Sequence, residues 1–227
     1  WILVGLLWGV ALLNYMDRQM LSTMKEAMQV DISALESAEN FGRLMAVFLW
    51  IYGFMSPVAG MIADRLNRQW LIVGSLFVWS AVTYGMGYAE TFTQLYWLRA
   101  VMGISEALYI PAGLSLIADW HQGKSRSLAV GIHMTGLYTG QAIGGFGSTV
   151  FAVYSWHATF HGFGIIRIIY AVVLILFLRE NKGTGTAEQV CREGVKAPSP
   201  SIFKGMSLLF CNIAFWVILF YFAVPSL

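Results

Sequence analysis

FGRLMAVFLWIYGFMSPVAGMIADRLNRQWLIVGSLFVWSAVTYGMGY, residues 41–88, holds two apolar runs joined by a short charged loop. A helix needs about 20 apolar residues to cross a bilayer. Phe41 to Ile62 and Trp70 to Tyr88 each supply that length. Working outward, comparable runs occur at Trp1 to Met24, Leu95 to Ile117, Ser127 to Ala152, Ala158 to Leu178 and Met206 to Val224. The runs are long and continuous, where barrel strands would be short and alternating, so the spans are helices.

Composition agrees. Only 11% of the 227 residues are charged and 58% are hydrophobic, whereas soluble domains carry about 25% charged residues. Such a chain cannot cover a water-facing surface, which excludes a soluble globular protein, a disordered tail and a nucleic-acid binder. Cys191 and Cys211 make no disulfide framework or metal motif. If the first span runs outward, the inner segments hold Arg65, Arg68, Lys124, Arg126, Arg179, Lys182, Arg192, Lys196 and Lys204. The outer segments hold Lys25 and Arg43. That asymmetry predicts a cytoplasmic N-terminus. The expected organisation is a six-helix transmembrane bundle over 1–178, a cytoplasmic linker over 179–205 and the first helix of a second bundle over 206–227. Apolar sequence at both ends makes the chain read as a fragment.

Asp17, Arg18, Arg99, Glu106 and Arg167 fall inside these spans. Each costs about 2.5–3.5 kcal/mol to insert. Arg99 and Glu106 are seven residues apart, about 20° around a helix, and share one face. Asn14 and Arg18 share a face of the first span, with Asp17 on its flank. Buried ion pairs that fix packing would account for any one of these groups. Two arginines and two acids on two helices exceed that need, so a polar cavity between helices one and four is expected, where arginines bind an anion and carboxylates exchange protons. His133 lies mid-span near Gly136, placed to line that cavity or to pack. Arg167 stands alone among isoleucines, so a lipid-facing variant, a snorkelling side chain or a sequence error is as good a reading as a cavity role. Gly136, Gly140 and Gly144 form a ridge for close helix packing. Trp156, Trp97 and Tyr96 fit interfacial anchoring. His157 and His161 have metal-ligand spacing without nearby partners, so no metal is expected.

Gly60-Met61-Ile62-Ala63-Asp64-Arg65-Leu66-Asn67-Arg68 resembles the signature of the major facilitator superfamily in the loop between helices two and three. Asp119 to Arg126 occupies the equivalent loop between helices four and five, as a three-plus-three inverted repeat requires. Asn14-Tyr15-Met16-Asp17-Arg18, Arg99 with Glu106, Ala107 and Pro111, and Ser155-Trp156-His157-Ala158-Thr159-Phe160 resemble the anion:cation symporter branch, which includes sugar-acid transporters. The resemblance implies proton-driven uptake of a small organic anion by alternating access, with no cofactor beyond the coupling proton. It gives Arg18 and Arg99 the role of cavity arginines and Asp17 and Glu106 that of protonatable acids. Tyr15 and Tyr52 would line the site beside Asn14 and His133, and Gly60, Asp64, Arg65 and Arg68 would form the conformational loop. It further implies a multi-pass protein of a bacterial cytoplasmic membrane, monomeric at full length, whose partners are the bilayer, the anion and protons.

Leu137 and Tyr138 stand where sugar-acid transporters often place an amide, leaving the anion open. Gly136 to Gly145 resembles an antiporter signature with Gln141 in place of its proline, which favours symport. An exporter or antiporter of the same superfamily is the nearest alternative. A seven-helix photoreceptor would need a lysine that the last span lacks, and no nucleophile, base and orienting group converge for a membrane enzyme.

Overall fold

The computed structural model describes residues 1–152, 155–178, 211–213 and 216–217. The expected linker and most of the seventh span lie outside the described residues. The helices belong to one unit, Trp1–Asn181. They are α1 (Ile2–Thr23), α2 (Lys25–Asp31), α3 (Ala38–Ala63), α4 (Arg68–Met86), α5 (Phe92–Ala107), α6 (Tyr109–Trp120), α7 (Lys124–Ala152) and α8 (Trp156–Phe177), with a 3-10 turn at Ser33–Glu36.

Three boundaries have a clear local cause. Asn67 caps α4 by accepting the Trp70 backbone N–H at 3.2 Å. Thr91 opens α5 through a capping box, its side chain accepting from Gln94 N while the Gln94 side chain accepts from Thr91 N. The fourth expected span is two helices rather than one. Pro111 has no N–H to give the Ala107 carbonyl and its ring crowds that carbonyl, so the chain breaks at Leu108 between α5 and α6. The short α2 and the 3-10 turn also depart from expectation: they bury Met28 and Leu35 in the connection between α1 and α3.

Among the described residues, three helical stretches are long and apolar enough on hydropathy alone to cross a membrane: Ala38–Ala63, Phe92–Trp120 and Trp156–Phe177. The others meet the length requirement: α1, α4 and α7 run 22, 19 and 29 residues, about 28 Å or more at 1.5 Å per residue. Polar residues dilute the apolarity of α1, and there Asn14 and Asp17 are buried inside the bundle.

The closest helix pairs are α1 with α7, α4 with α8 and α3 with α5. Exchanging the first three spans for the last three turns α1–α7 into α5–α3 and maps α4–α8 onto itself, which is the pairing an inverted repeat generates. Each pair closes on glycine. A Cβ on Gly136 would stand 2.7 Å from Trp8 O, one on Gly144 2.8 Å from Met16 O, and one on Gly140 would collide with Leu12 O. The steps of four on α7 thus match steps of four on α1. On α5 a Cβ at Gly103 would meet Phe48 O at 2.9 Å, and on α8 one at Gly164 would meet Tyr84 Cβ at 2.7 Å.

At the end of the bundle where α3 meets α4, the loops related by the repeat touch. Asp64 closes α3, its N–H reaching Gly60 O at 3.1 Å, and the N–H groups of Arg65 and Leu66 reach Ile62 O. Arg68 then pairs with Asp119 at the end of α6. The glycine packing gives a direct expectation. Gly140→Val should lower the unfolding temperature sharply, because backbone cannot yield, while Gly131→Ala, in open space on the same helix, should be neutral or slightly stabilising. Thermal unfolding in detergent distinguishes them, and equal effects would contradict this packing.

Candidate functional site

Two ion pairs in the middle of the bundle start from α1 and reach different partner helices. Arg18 Nε on α1 lies 3.1 Å from Glu106 Oε2 on α5. Arg167 Nη1 on α8 lies 2.8 Å from Asp17 Oδ2 on α1. The Thr83 hydroxyl of α4 donates to the same Asp17 oxygen at 2.8 Å and accepts from Arg167 Nη1 at 3.3 Å. Arg167 is 0% exposed. The lipid-facing and snorkelling readings of Arg167 are therefore corrected: Gly164 lets α8 lie against α4 closely enough for the guanidinium to reach α1.

Arg18 sits in an aromatic cage. Its Cζ is 4.7 Å from the Tyr15 ring centroid, 4.6 Å from Tyr52 and 5.0 Å from Phe48, each within cation–π range. Arg99 Cζ lies 4.5 Å from Phe48, so that ring is shared by two guanidiniums. Phe48 was absent from the sequence reading, although its spacing of four from Tyr52 puts both rings on one face of α3. Gly103 brings the Phe48 backbone against α5, one turn from Arg99.

Arg99 is buried, its Nη1 donating to Met102 Sδ at 3.3 Å. It makes no ion pair among the described residues. Its Nε, Arg18 Nη2, Glu106 Oε1 and both amide atoms of Asn14 are buried without hydrogen-bond partners there. An unpaired buried polar group costs about 1–3 kcal/mol, more when charged; here Arg18 Nη2 and Arg99 Nε are left to donate, and Glu106 Oε1 and Asn14 Oδ1 to accept. The Arg18 side chain, 21% exposed, is the accessible member; Glu106 is 0% exposed.

His133 is fully buried, its ring 6.0 Å from that of Tyr109, whose hydroxyl donates to Leu7 O. It thus sits where α6 and α7 pack on α1. Leu137 is buried and Tyr138 is 72% exposed. Trp97 is exposed, but Trp156 is not an interfacial anchor: it is buried and donates from Nε1 to Asp31 Oδ2 at 2.6 Å. Beside it, His157 joins Gly87 O at 2.7 Å and Asp31 at 3.5 Å, while His161 packs on Tyr84 and Tyr88. These contacts tie α8 to the C-terminal ends of α2 and α4.

Charged pairs held across an apolar helical bundle suit a chain that crosses a membrane several times. The chain belongs to the major facilitator superfamily, whose family model matches residues 7–227, and is a multi-pass membrane protein. It is similar to the probable L-galactonate transporter of Escherichia coli (strain K12), 28% identical over 178 residues, covering 78% of this chain and 39% of the relative. The galacturonate transporter of Dickeya chrysanthemi is 26% identical over 187 residues, covering 80% and 52%. Among solved structures, a bacterial homolog of the human lysosomal transporter Spinster, inward-facing and unoccupied, matches with a TM-score of 0.70 at 25% identity, covering 82% of this chain and 45% of that one. The chain spans about two fifths to half the length of these proteins.

The two partners of the accessible pair differ in exposure, and so should their variants. Arg18→Ala leaves Glu106 with no ion-pair partner, a loss of about 3–5 kcal/mol for a broken buried pair. Glu106→Gln leaves Arg18 partly hydrated and held by three rings, so it should cost clearly less. Unfolding midpoints in detergent measure both; the reverse order would contradict the geometry.

Proposed function

We propose that this chain works as one half of a proton-coupled symporter that carries a small organic anion, a sugar acid or similar carboxylate, by alternating access. It lies in a bacterial cytoplasmic membrane with its N-terminus inside, acts as a monomer and needs no cofactor beyond the proton. One observation carries the reading. The accessible cation Arg18 has a buried carboxylate as its partner, and Arg99, a second cation, stands beside it without one. A substrate carboxylate competes with Glu106 for Arg18 and gains Arg99 through charge-assisted hydrogen bonds. Glu106, left in a poorly solvated site without its countercharge, then takes up a proton. Asn14, Tyr15 and Tyr52 offer polar groups at the same level of the bundle. The sugar-acid relatives support the substrate class, and the substitution of Gln141 for a helix-kinking proline supports symport over exchange.

Transport by protein made from the complete gene, reconstituted in vesicles and supplied with L-galactonate, tests this. Glu106→Gln should exchange substrate across the membrane yet fail to concentrate it under a proton gradient. Full gradient-driven accumulation would remove Glu106 from the coupling role. Arg18→Lys keeps the charge but loses the planar fork. A charge-assisted hydrogen bond contributes about 1.5–3 kcal/mol, so affinity should fall roughly ten- to hundredfold. Unchanged affinity would exclude Arg18 as a ligand.

A further inference from the structure

We propose that Arg167 and Thr83 are positioning residues that hold Asp17 permanently countercharged, so that Asp17 sets the rotation of α1 that aims Arg18 at Glu106 and leaves Glu106 as the only proton-carrying acid of this half.

The first support is the arrangement on α8. Gly164, Arg167 and Tyr170 lie at successive spacings of three and so share one side of α8. Gly164 meets Tyr84 of α4, and the Tyr170 hydroxyl donates to Leu6 O of α1 at 2.8 Å. Arg167, between them, crosses from α8 past Thr83 to Asp17. A single face of α8 is therefore registered on both other helices, and the ion pair belongs to that register rather than to the aromatic cage.

The second is angular. Neighbouring residues on a helix point about 100° apart, so Asp17 and Arg18 cannot turn independently. With Asp17 fixed toward α4 and α8, Arg18 must face α3 and α5, where Phe48, Tyr52 and Glu106 stand. Fixing the acid aims the base.

The third is access. The Asp17 and Arg167 side chains are 1% and 0% exposed, against 21% for Arg18. Arg167 Nε and Nη2 have no hydrogen-bond partner among the described residues, and its ion pair there is with Asp17. An anion that displaces a carboxylate from Arg18 does not reach Arg167. The countercharge of Asp17 is never diverted, so Asp17 has no occasion to bind a proton during turnover. Of the five charges, Asp17 is paired with Arg167 and Arg18 with Glu106, and Arg99 makes no ion pair among the described residues.

The proton assignment rests on the symport reading above, whereas the positioning role does not, and the test separates them. Asp17→Asn, Arg167→Met and the double variant would be made in the protein from the complete gene. Each single variant strands one buried charge, whereas the double variant strands neither. In detergent, each single variant should lower the unfolding midpoint by several degrees, and the double variant should lie nearer to wild type than either. In vesicles with L-galactonate as the probe, each single variant should cut initial uptake about tenfold. The double variant should recover part of that rate and keep the wild-type number of protons moved per substrate. A double variant no more stable than the worse single variant, or one that does not fold, overturns the positioning role. A rescued double variant that exchanges substrate but moves fewer protons per substrate overturns the proton assignment and makes Asp17 a carrier. Wild-type protein that moves L-galactonate without protons defeats the symport reading and, with it, the proton assignment, while the midpoints still decide the positioning role.

Discussion

Five charged side chains lie in the apolar middle of this bundle, and each must find a countercharge, a ring or a ligand to remain there. The helix arrangement follows from meeting that demand. Asp17 is met from α4 and α8, Glu106 from α1, and the two cations of the cage from the rings of α1 and α3. These pairings act over a few ångströms, so they require closely packed helices, and glycine supplies the closeness: Gly140 against α1, Gly103 against α3 and Gly164 against α4. Glycine packing and charge pairing are two sides of one constraint. A larger residue at Gly164 would separate α8 from α4 and leave Arg167 short of Asp17.

The two ion pairs share α1 but differ in kind. Asp17–Arg167 is sealed and shared by three helices, as suits a fixed point. Arg18–Glu106 is open at one end, edged by aromatic rings and next to an unpaired arginine, as suits an exchangeable partner. Breaking a buried pair by removing one member is costly because it leaves an uncompensated charge. On the proposed reading, an anion keeps Arg18 compensated when Glu106 releases it, and a proton spares Glu106 that cost.

Much of this was legible in the sequence. The apolar runs located α1, α3, α4, α7 and α8 to within a few residues, because length and hydropathy are local properties. The spacing of Arg99 and Glu106 placed both on one face, and the steps of four at Gly136, Gly140 and Gly144 marked a packing ridge. What stayed hidden depends on which helices become neighbours. Arg167 looked stranded because its partner lies 150 residues away on α1, and Thr83 is an ordinary hydroxyl until α8 reaches it. Trp156 had the signature of an interfacial anchor, but it is buried, and Asp31, on the unanticipated α2, accepts its indole N–H. The break at Leu108 was encoded locally by Pro111, yet continuous hydropathy across the site masked it.

The central claim is that an anion takes Arg18 from Glu106 and a proton then takes its place. Proton uptake on binding measures this most directly, by titrating L-galactonate into the purified full-length transporter in buffers of differing ionisation enthalpy. The expected result is about one proton taken up per anion bound near neutral pH, lost in Glu106→Gln. Binding with no proton uptake, or uptake that persists in Glu106→Gln, would contradict the account.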